Sequence, residues 1–259
     1  MIASLPMYDR PETRDVTDRF WAHTRDALRE QNVEAPDSLT RNAQLMEQWT
    51  SPDLVLSQTC GLPFRKFLAG KVTVVARPDF GFHDTDPGDY RSVIITRAHI
   101  RTLPHKGALM VARNDETSQS GWAALRDWCA YEGHTVADIV ETGSHVASAR
   151  AVSKGLADIA AIDAQTWRLI LRHENWAPEL FELAWTPPMP GLPYITRHGE
   201  APEPYFVALT SAFDRLGEDD RRALGLCGIV PATASDYLNV PDPDTRAPYR
   251  ARRMTGPWY

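Results

Sequence analysis

Apolar positions along the chain follow two spacings. Short, nearly continuous apolar runs alternate with longer stretches in which apolar residues return roughly every three or four positions. The first kind predicts buried strands at 2–7, 53–57 (DLVLS), 72–76 (VTVVA), 92–96 (SVIIT) and 108–112. Later runs at 136–141, 158–162, 180–185, 194–196 and 228–230 read the same way. The second kind predicts helices over 16–31, 42–49, 63–69, 121–131, 145–154, 163–173, 203–216 and 219–224. In the first of these, Val16, Phe20, Ala27 and Leu28 share a face. The segment 80–89 (FGFHDTDPGD) is a loop by its Gly, Pro and Asp content. Pro187, Pro188, Pro190 and Pro193 mark a rigid crossing, and the tail from Pro241 is expected to lie extended over the surface.

Strands that alternate with helices predict an α/β architecture with mixed, mostly parallel sheets. The middle stretch, 98–186, is self-contained in this pattern, and the segments before and after it can belong together. The expected organisation is therefore one lobe from 1–97 plus 187–259 and a second from 98–186, with crossings near 97–106 and 185–194. At 259 residues the chain is long enough for two lobes with real cores.

Composition narrows the function. The net charge of −6 offers no basic excess to meet phosphates along a nucleic acid. No apolar run approaches the roughly 20 residues of a membrane span, so direct membrane insertion is not expected. The start, MIASLPMYDRPE, has neither the basic nor the long apolar region of a signal peptide. The chain as written is expected in the cytoplasm, or in the periplasm if an export signal has been removed. Cys60, Cys129 and Cys227 are widely spaced and odd in number, which gives no disulfide framework and no zinc spacing. The eight His include no HExxH pair, so neither a metal nor a cofactor is expected.

Two polar turns carry the candidate chemistry. In ETGSHVASARAVSKGLADIAAID (141–163), Ser144 is a good N-cap, and Gly155 and Lys154 suit the end of the helix it opens. That helix start carries Ser144, His145 and, one turn on, Ser148. In NDETSQSG (114–121), Ser118, Ser120 and Gly121 sit where the next helix begins. Hydroxyls beside unpaired N–H groups at the positive end of a helix dipole can receive a phosphate-like oxygen. The same residues also read as ordinary caps and a packing histidine. Two such starts, one β-α-β repeat apart, should face the same sheet edge, because parallel strands end together. Asp163 has two readings, a partner for a ligand ammonium or the cap of the following helix. Tyr8 and Tyr90 read either as ligand contacts or as core, and the tryptophans as core.

Taken together, SLPMYD (4–9), LVLSQTCGLPF (54–64), GDYRSVIITR (88–97), SQSG (118–121), the 141–163 run and GIVPATASDY (228–237) make the chain resemble the substrate-binding proteins of phosphate/phosphonate-type ABC transporters. The resemblance covers nearly the whole length. It implies a two-lobed type II periplasmic-binding-protein fold, a small anionic ligand in a cleft between lobes, an ABC permease as partner, and a monomer without catalytic activity. It also implies a ligand set: Ser118, Ser120, Gly121, Ser144, His145 and Ser148 on oxyanion oxygens, with Tyr8, Gln58, Thr59, Tyr90, Ser92 and Asp163 around them. Two other roles use the same fold, a cytoplasmic sensor and an enzyme of the pyrimidine-precursor type. The second would need a nucleophile, a base and a group to orient it.

Overall fold

The computed structural model describes residues 1–41, 43–104 and 106–241, and the expected extended tail lies outside them apart from Pro241. The described residues form two compact units, Met1–Asp89 with Pro190–Val240, and Tyr90–Met189. The chain passes between them twice, at 89/90 and 189/190. Strands β4 (Asp89–Tyr90) and β10 (Met189–Pro190), which lie at these passages, pair with each other. The first passage comes earlier than the crossing expected near 97–106. The reason is β5 (Ser92–Arg97), which pairs with two strands of the second unit and so cannot belong to the first.

The first unit is a five-stranded sheet in the order β1 (Ile2–Ala3), β2 (Leu54–Gln58), β11 (Tyr194–Arg197), β3 (Val72–Asp79), β12 (Gly228–Pro231). Side chains alternate across a strand, and the two faces fill differently. A bulge opposite Tyr194 and Ile195 breaks the alternation, so the consecutive Val75 and Ala76 both pack under α1 (Arg14–Glu30) and α7 (Glu203–Arg215), with Phe20, Trp21, Leu28, Tyr205 and Leu209. Val72 and Val74 pack on the other face with Trp49 of α2 (Leu45–Trp49), Phe64 and Leu68 beyond α3 (Gly61–Pro63), and Tyr237 of α9 (Ala234–Leu238). The short helix α8 (Glu218–Leu224) leads into β12.

The second unit is also five-stranded: β7 (Thr135–Glu141), β6 (Ala108–Arg113), β8 (Ile159–Asp163), β5, β9 (Leu180–Trp185). Its core joins Ile94, Leu109, Val111 and Ile159 to Leu125 and Trp128 of α4 (Ala124–Glu132). Two more helices, α5 (His145–Ser153) and α6 (Ala164–His173), connect the strands.

Both sheets are mixed. In the second, β7, β6 and β8 are parallel, and β5 is antiparallel to β8 and β9. In the first, β11 is antiparallel to β2 and β3, and β12 is antiparallel to β3. The reversed interior strand in each sheet, β5 or β11, is the first that the chain makes there after a passage. Gly191 marks the second passage. A side chain there would meet the Gly88 carbonyl oxygen at 2.5 Å, because the Gly191 N–H donates to that oxygen at 2.9 Å.

Candidate functional site

Direction decides which residues meet. Since β6, β7 and β8 are parallel, the residues after their C-terminal ends share one edge of the sheet. Antiparallel β5 brings its N-terminal end to the same edge, with Ser92 opposite Asp163. Asn114, Thr142 and Asp163 therefore line up with the two polar helix starts.

At the first start, Ser118 caps the helix. Its Oγ accepts from the Gly121 N–H at 2.9 Å and from Asn114 Nδ2 at 3.1 Å. The helix opens with a π turn, Gln119–Ala123, before continuing as α4. Both acceptor positions of the Ser118 oxygen are filled, so its own proton is free to point at another acceptor. Gly121 leaves room for Asn114, since a Cβ would lie 1.8 Å from Asn114 Oδ1. That Oδ1 is buried without a hydrogen-bond partner among the described residues.

At the second start, Ser144 caps α5 by accepting from the Ala147 N–H at 3.1 Å, and its carbonyl accepts from the Ser148 N–H. The N–H groups of His145 and Val146 remain for another acceptor. The two starts meet directly: Ser120 Oγ lies 2.8 Å from His145 Nε2. The other ring nitrogen, Nδ1, is buried and makes no hydrogen bond of normal geometry. Burial pushes His145 down to about 4, with a smaller opposing pull from the Ala161 backbone, so the ring is neutral at neutral pH.

Ser148 is buried, 2.6 Å from Thr142 Oγ1. Thr142 is also in contact with the carbonyls of Arg113 and Ser144, at 2.9 and 3.2 Å. Those carbonyls compete for its single proton, so Ser148 is the donor in the pair and its hydroxyl is committed to holding the turn. Sequence reasoning did not single out Thr142 or Asn114. The signal that could have found them is their place, one residue past each strand. Asp163 accepts from the Thr166 N–H at 3.0 Å and caps α6, the second of its two readings. Tyr90 and Ser92 are buried at the same edge, and Thr186, another residue not singled out, accepts from the Ser92 N–H at 2.9 Å.

The remaining candidates lie in the first unit. Tyr8 packs edge-on to Phe80, with centroids 5.1 Å apart. Gln58 Nε2 donates to the Leu192 carbonyl at 3.1 Å, and the Thr59 N–H to the Pro193 carbonyl at 3.0 Å. Thr59 Oγ1 is buried without a hydrogen-bond partner among the described residues. The acidic loop is occupied locally: Asp79 accepts from the Gly81 and Gly88 N–H groups, and Asp89 lies 3.3 Å from Arg77.

The edge of the second unit thus offers N–H and O–H groups, with charge held aside. Arg113 is bound to Glu141 and stacks on Trp122, 4.7 Å from the ring centroid. Among the described residues no group of three His, Cys, Asp or Glu could hold a metal ion, and none of the three cysteines is in a disulfide. Such a surface suits a small oxyanion held by dipoles and hydrogen bonds.

Two sheets of this topology define the periplasmic-binding-protein fold, and solved structures agree. A chloride-bound protein from Xanthomonas citri, XAC2383, matches with a TM-score of 0.67 at 13% identity, over 91% of this chain and 92% of that one. PhnD1 from Prochlorococcus marinus, in complex with methylphosphonate, matches with a TM-score of 0.65 at 17% identity, over 92% and 95%. A binding protein component of an ABC phosphonate transporter from Pseudomonas aeruginosa matches with a TM-score of 0.64 at 14% identity, over 92% and 83%. No curated protein matches the sequence. The chain belongs to the family described as ABC transporter, phosphonate, periplasmic substrate-binding protein, whose model matches residues 43–237. It is a solute-binding protein of that transport class, for which the implied partners are a small ligand and an ABC permease.

Proposed function

We propose that the second unit's polar edge binds the oxyanion head of a small phosphorus compound, a phosphonate or phosphate. The observation that carries this reading is the 2.8 Å contact of Ser120 with His145, which brings two helix starts onto one spot. Ser118 would donate its free proton to the oxyanion. The unpaired N–H groups of His145 and Val146 would add two further bonds, with the dipoles of both helices favouring the negative charge. Gly121 keeps the space, Ser144 and Ser148 hold the second turn, and Asp163 serves as a cap. Tyr90 and Ser92, buried at the same edge, complete the second unit's set. In the first unit, taken by itself, the buried Thr59 hydroxyl is an unmet polar group, with Gln58 and Tyr8 as that unit's other candidates.

The protein performs no chemical step in this reading, acting as a monomer in the periplasm beside its permease. Ser120 and His145 are spaced like a nucleophile and base. However, Asp163 is bound to the Thr166 N–H, and a ring with a pKa of about 4 is a weak base at neutral pH. No described helix is long and apolar enough to cross a membrane.

A thermal-shift series with phosphate, phosphite, methylphosphonate, aminoethylphosphonate and sulfate tests the proposal. A ligand at 100 times its Kd should add about 2.7 kcal/mol of stability. The double variant Ser120→Ala with His145→Ala should abolish the shift, because it removes the contact that holds the Ser118 hydroxyl and the His145 and Val146 N–H groups on one spot. It removes both partners of one hydrogen bond, so neither is left unsatisfied and the fold should survive. Shifts with none of the phosphorus oxyanions, or a shift retained in the double variant, would sink the reading.

A further inference from the structure

We infer that Ser120 and His145 present a hydrogen-bond acceptor to the bound oxyanion, so that the site takes an oxyanion still carrying a proton and rejects sulfate and sulfonates. This rests on the oxyanion site proposed above and names its ligand class more narrowly.

A neutral imidazole carries its proton on one nitrogen and a lone pair on the other. His145 Nδ1 is sealed from water, and the one neighbour that favours a proton on the ring is the Ala161 backbone. With Nε2 taken by Ser120, Nδ1 is the nitrogen left to carry a proton toward that backbone, whereas a bare Nδ1 would be a buried acceptor with nothing to accept. Nε2 then holds the lone pair, and Ser120, 2.8 Å away, is the donor. Ser120 has a single proton, and His145 takes it. What Ser120 keeps for a further partner is lone pairs, beside the donors Ser118 Oγ and the His145 and Val146 N–H groups. An oxyanion bearing one P–OH satisfies both kinds of group. A sulfonate at neutral pH has only acceptors, and one of its oxygens would meet the Ser120 lone pairs.

Charged groups on the elements packed against α5 leave this arrangement alone. On β8, Asp163 is bound to the Thr166 N–H. Arg113 on β6 holds Glu141 on β7, and Asp138 on β7 accepts from the Ile139 N–H. Arg97 on β5 faces Asp158, and Glu182 on β9 accepts from the Trp167 and Trp185 indoles. Neither these groups nor Arg168 and Arg172 of α6 contribute to the shift at His145, which comes from burial and the Ala161 backbone alone.

Calorimetric titration with methylphosphonate and methanesulfonate, near-isosteres, at pH 6 and pH 8 in buffers of differing ionisation enthalpy tests the inference. Methylphosphonate should bind at both pH values. At pH 8, where it is largely a dianion, its complex should take up about one proton, and its affinity should fall roughly tenfold per pH unit above its second ionisation. Methanesulfonate should bind at least about a hundredfold more weakly. In Ser120→Ala the gap between the two should narrow and the proton uptake disappear. Methylphosphonate binding without proton uptake at pH 8, or methanesulfonate binding as tightly, overturns the acceptor while leaving the oxyanion site standing. Binding of neither methylphosphonate nor phosphate at either pH overturns the site itself, and the acceptor with it.

Discussion

Replacing Gly121 with Ala should change sign with the identity of residue 114. Two effects oppose each other at this position. Alanine is favoured over glycine in a helix by about 1 kcal/mol, and Gly121 has no left-handed backbone to forbid it. Against this, the new Cβ would lie 1.8 Å from Asn114 Oδ1, 2.8 Å from Asn114 Cγ and 3.0 Å from Ser118 Oγ. Asn114 has to leave, which breaks its 3.1 Å bond to Ser118 Oγ. A lost neutral hydrogen bond costs about 1 kcal/mol, and forced repacking adds about 1–3 kcal/mol. The net expectation for Gly121→Ala is a loss of about 1–3 kcal/mol. In an Asn114→Ala background the two severe overlaps are gone and only the 3.0 Å approach to Ser118 Oγ remains, so the same substitution should stabilise by up to about 1 kcal/mol. Urea unfolding of the four proteins of this cycle measures both values and their coupling. Phosphate binding should fall in the single variant, because Ser118 loses the bond that aims its proton. A Gly121→Ala effect of the same sign and size in both backgrounds would refute the packing argument.

Other expectations follow from single contacts. Thr142→Val should cost about 1–3 kcal/mol in chemical denaturation, because it strands the Ser148 hydroxyl, while Thr142→Ser should be much milder. Asp163→Ala should cost about 0.5–2 kcal/mol through the lost cap, and Asp163→Asn should recover most of it. If Asp163→Asn weakened binding of aminoethylphosphonate but not methylphosphonate, the side chain would have a ligand role beyond capping. Stability should also fall as pH drops from about 6.5 to about 4. His145 is depressed from 6.5 to about 4 in the folded protein, so in that window the unfolded chain takes a proton that the folded one refuses. The loss is at most about 3 kcal/mol, an upper bound because part of the side chain reaches the surface. Comparing His145→Gln with the parent protein in pH-dependent thermal melts should remove this limb of the curve.

The pattern of apolar positions determined much of this protein by itself. Strands such as 72–76 and 180–185 and helices such as 203–216 are legible because burial of one face imposes a spacing of two or of 3.6 on the chain. Caps were legible for the same local reason: Ser118, Ser144 and Asp163 bond to backbone three residues on, which depends on nothing distant. Strand direction was not legible. β5 and β11 are apolar on both faces, and such a run reads the same whichever way its neighbours point. That hidden fact moved the first passage from near 97–106 to 89/90, and it set Ser92 opposite Asp163. The contacts that give the polar edge its chemistry were hidden for a related reason. Ser120 and His145 are 25 residues apart, and Thr142 and Asn114 look like ordinary turn residues until the parallel ends of β6 and β7 set them side by side. Local spacing shows which residues can donate or accept, but only the sheet's register brings two helix starts to one edge, and only burial in the folded unit keeps the His145 ring neutral.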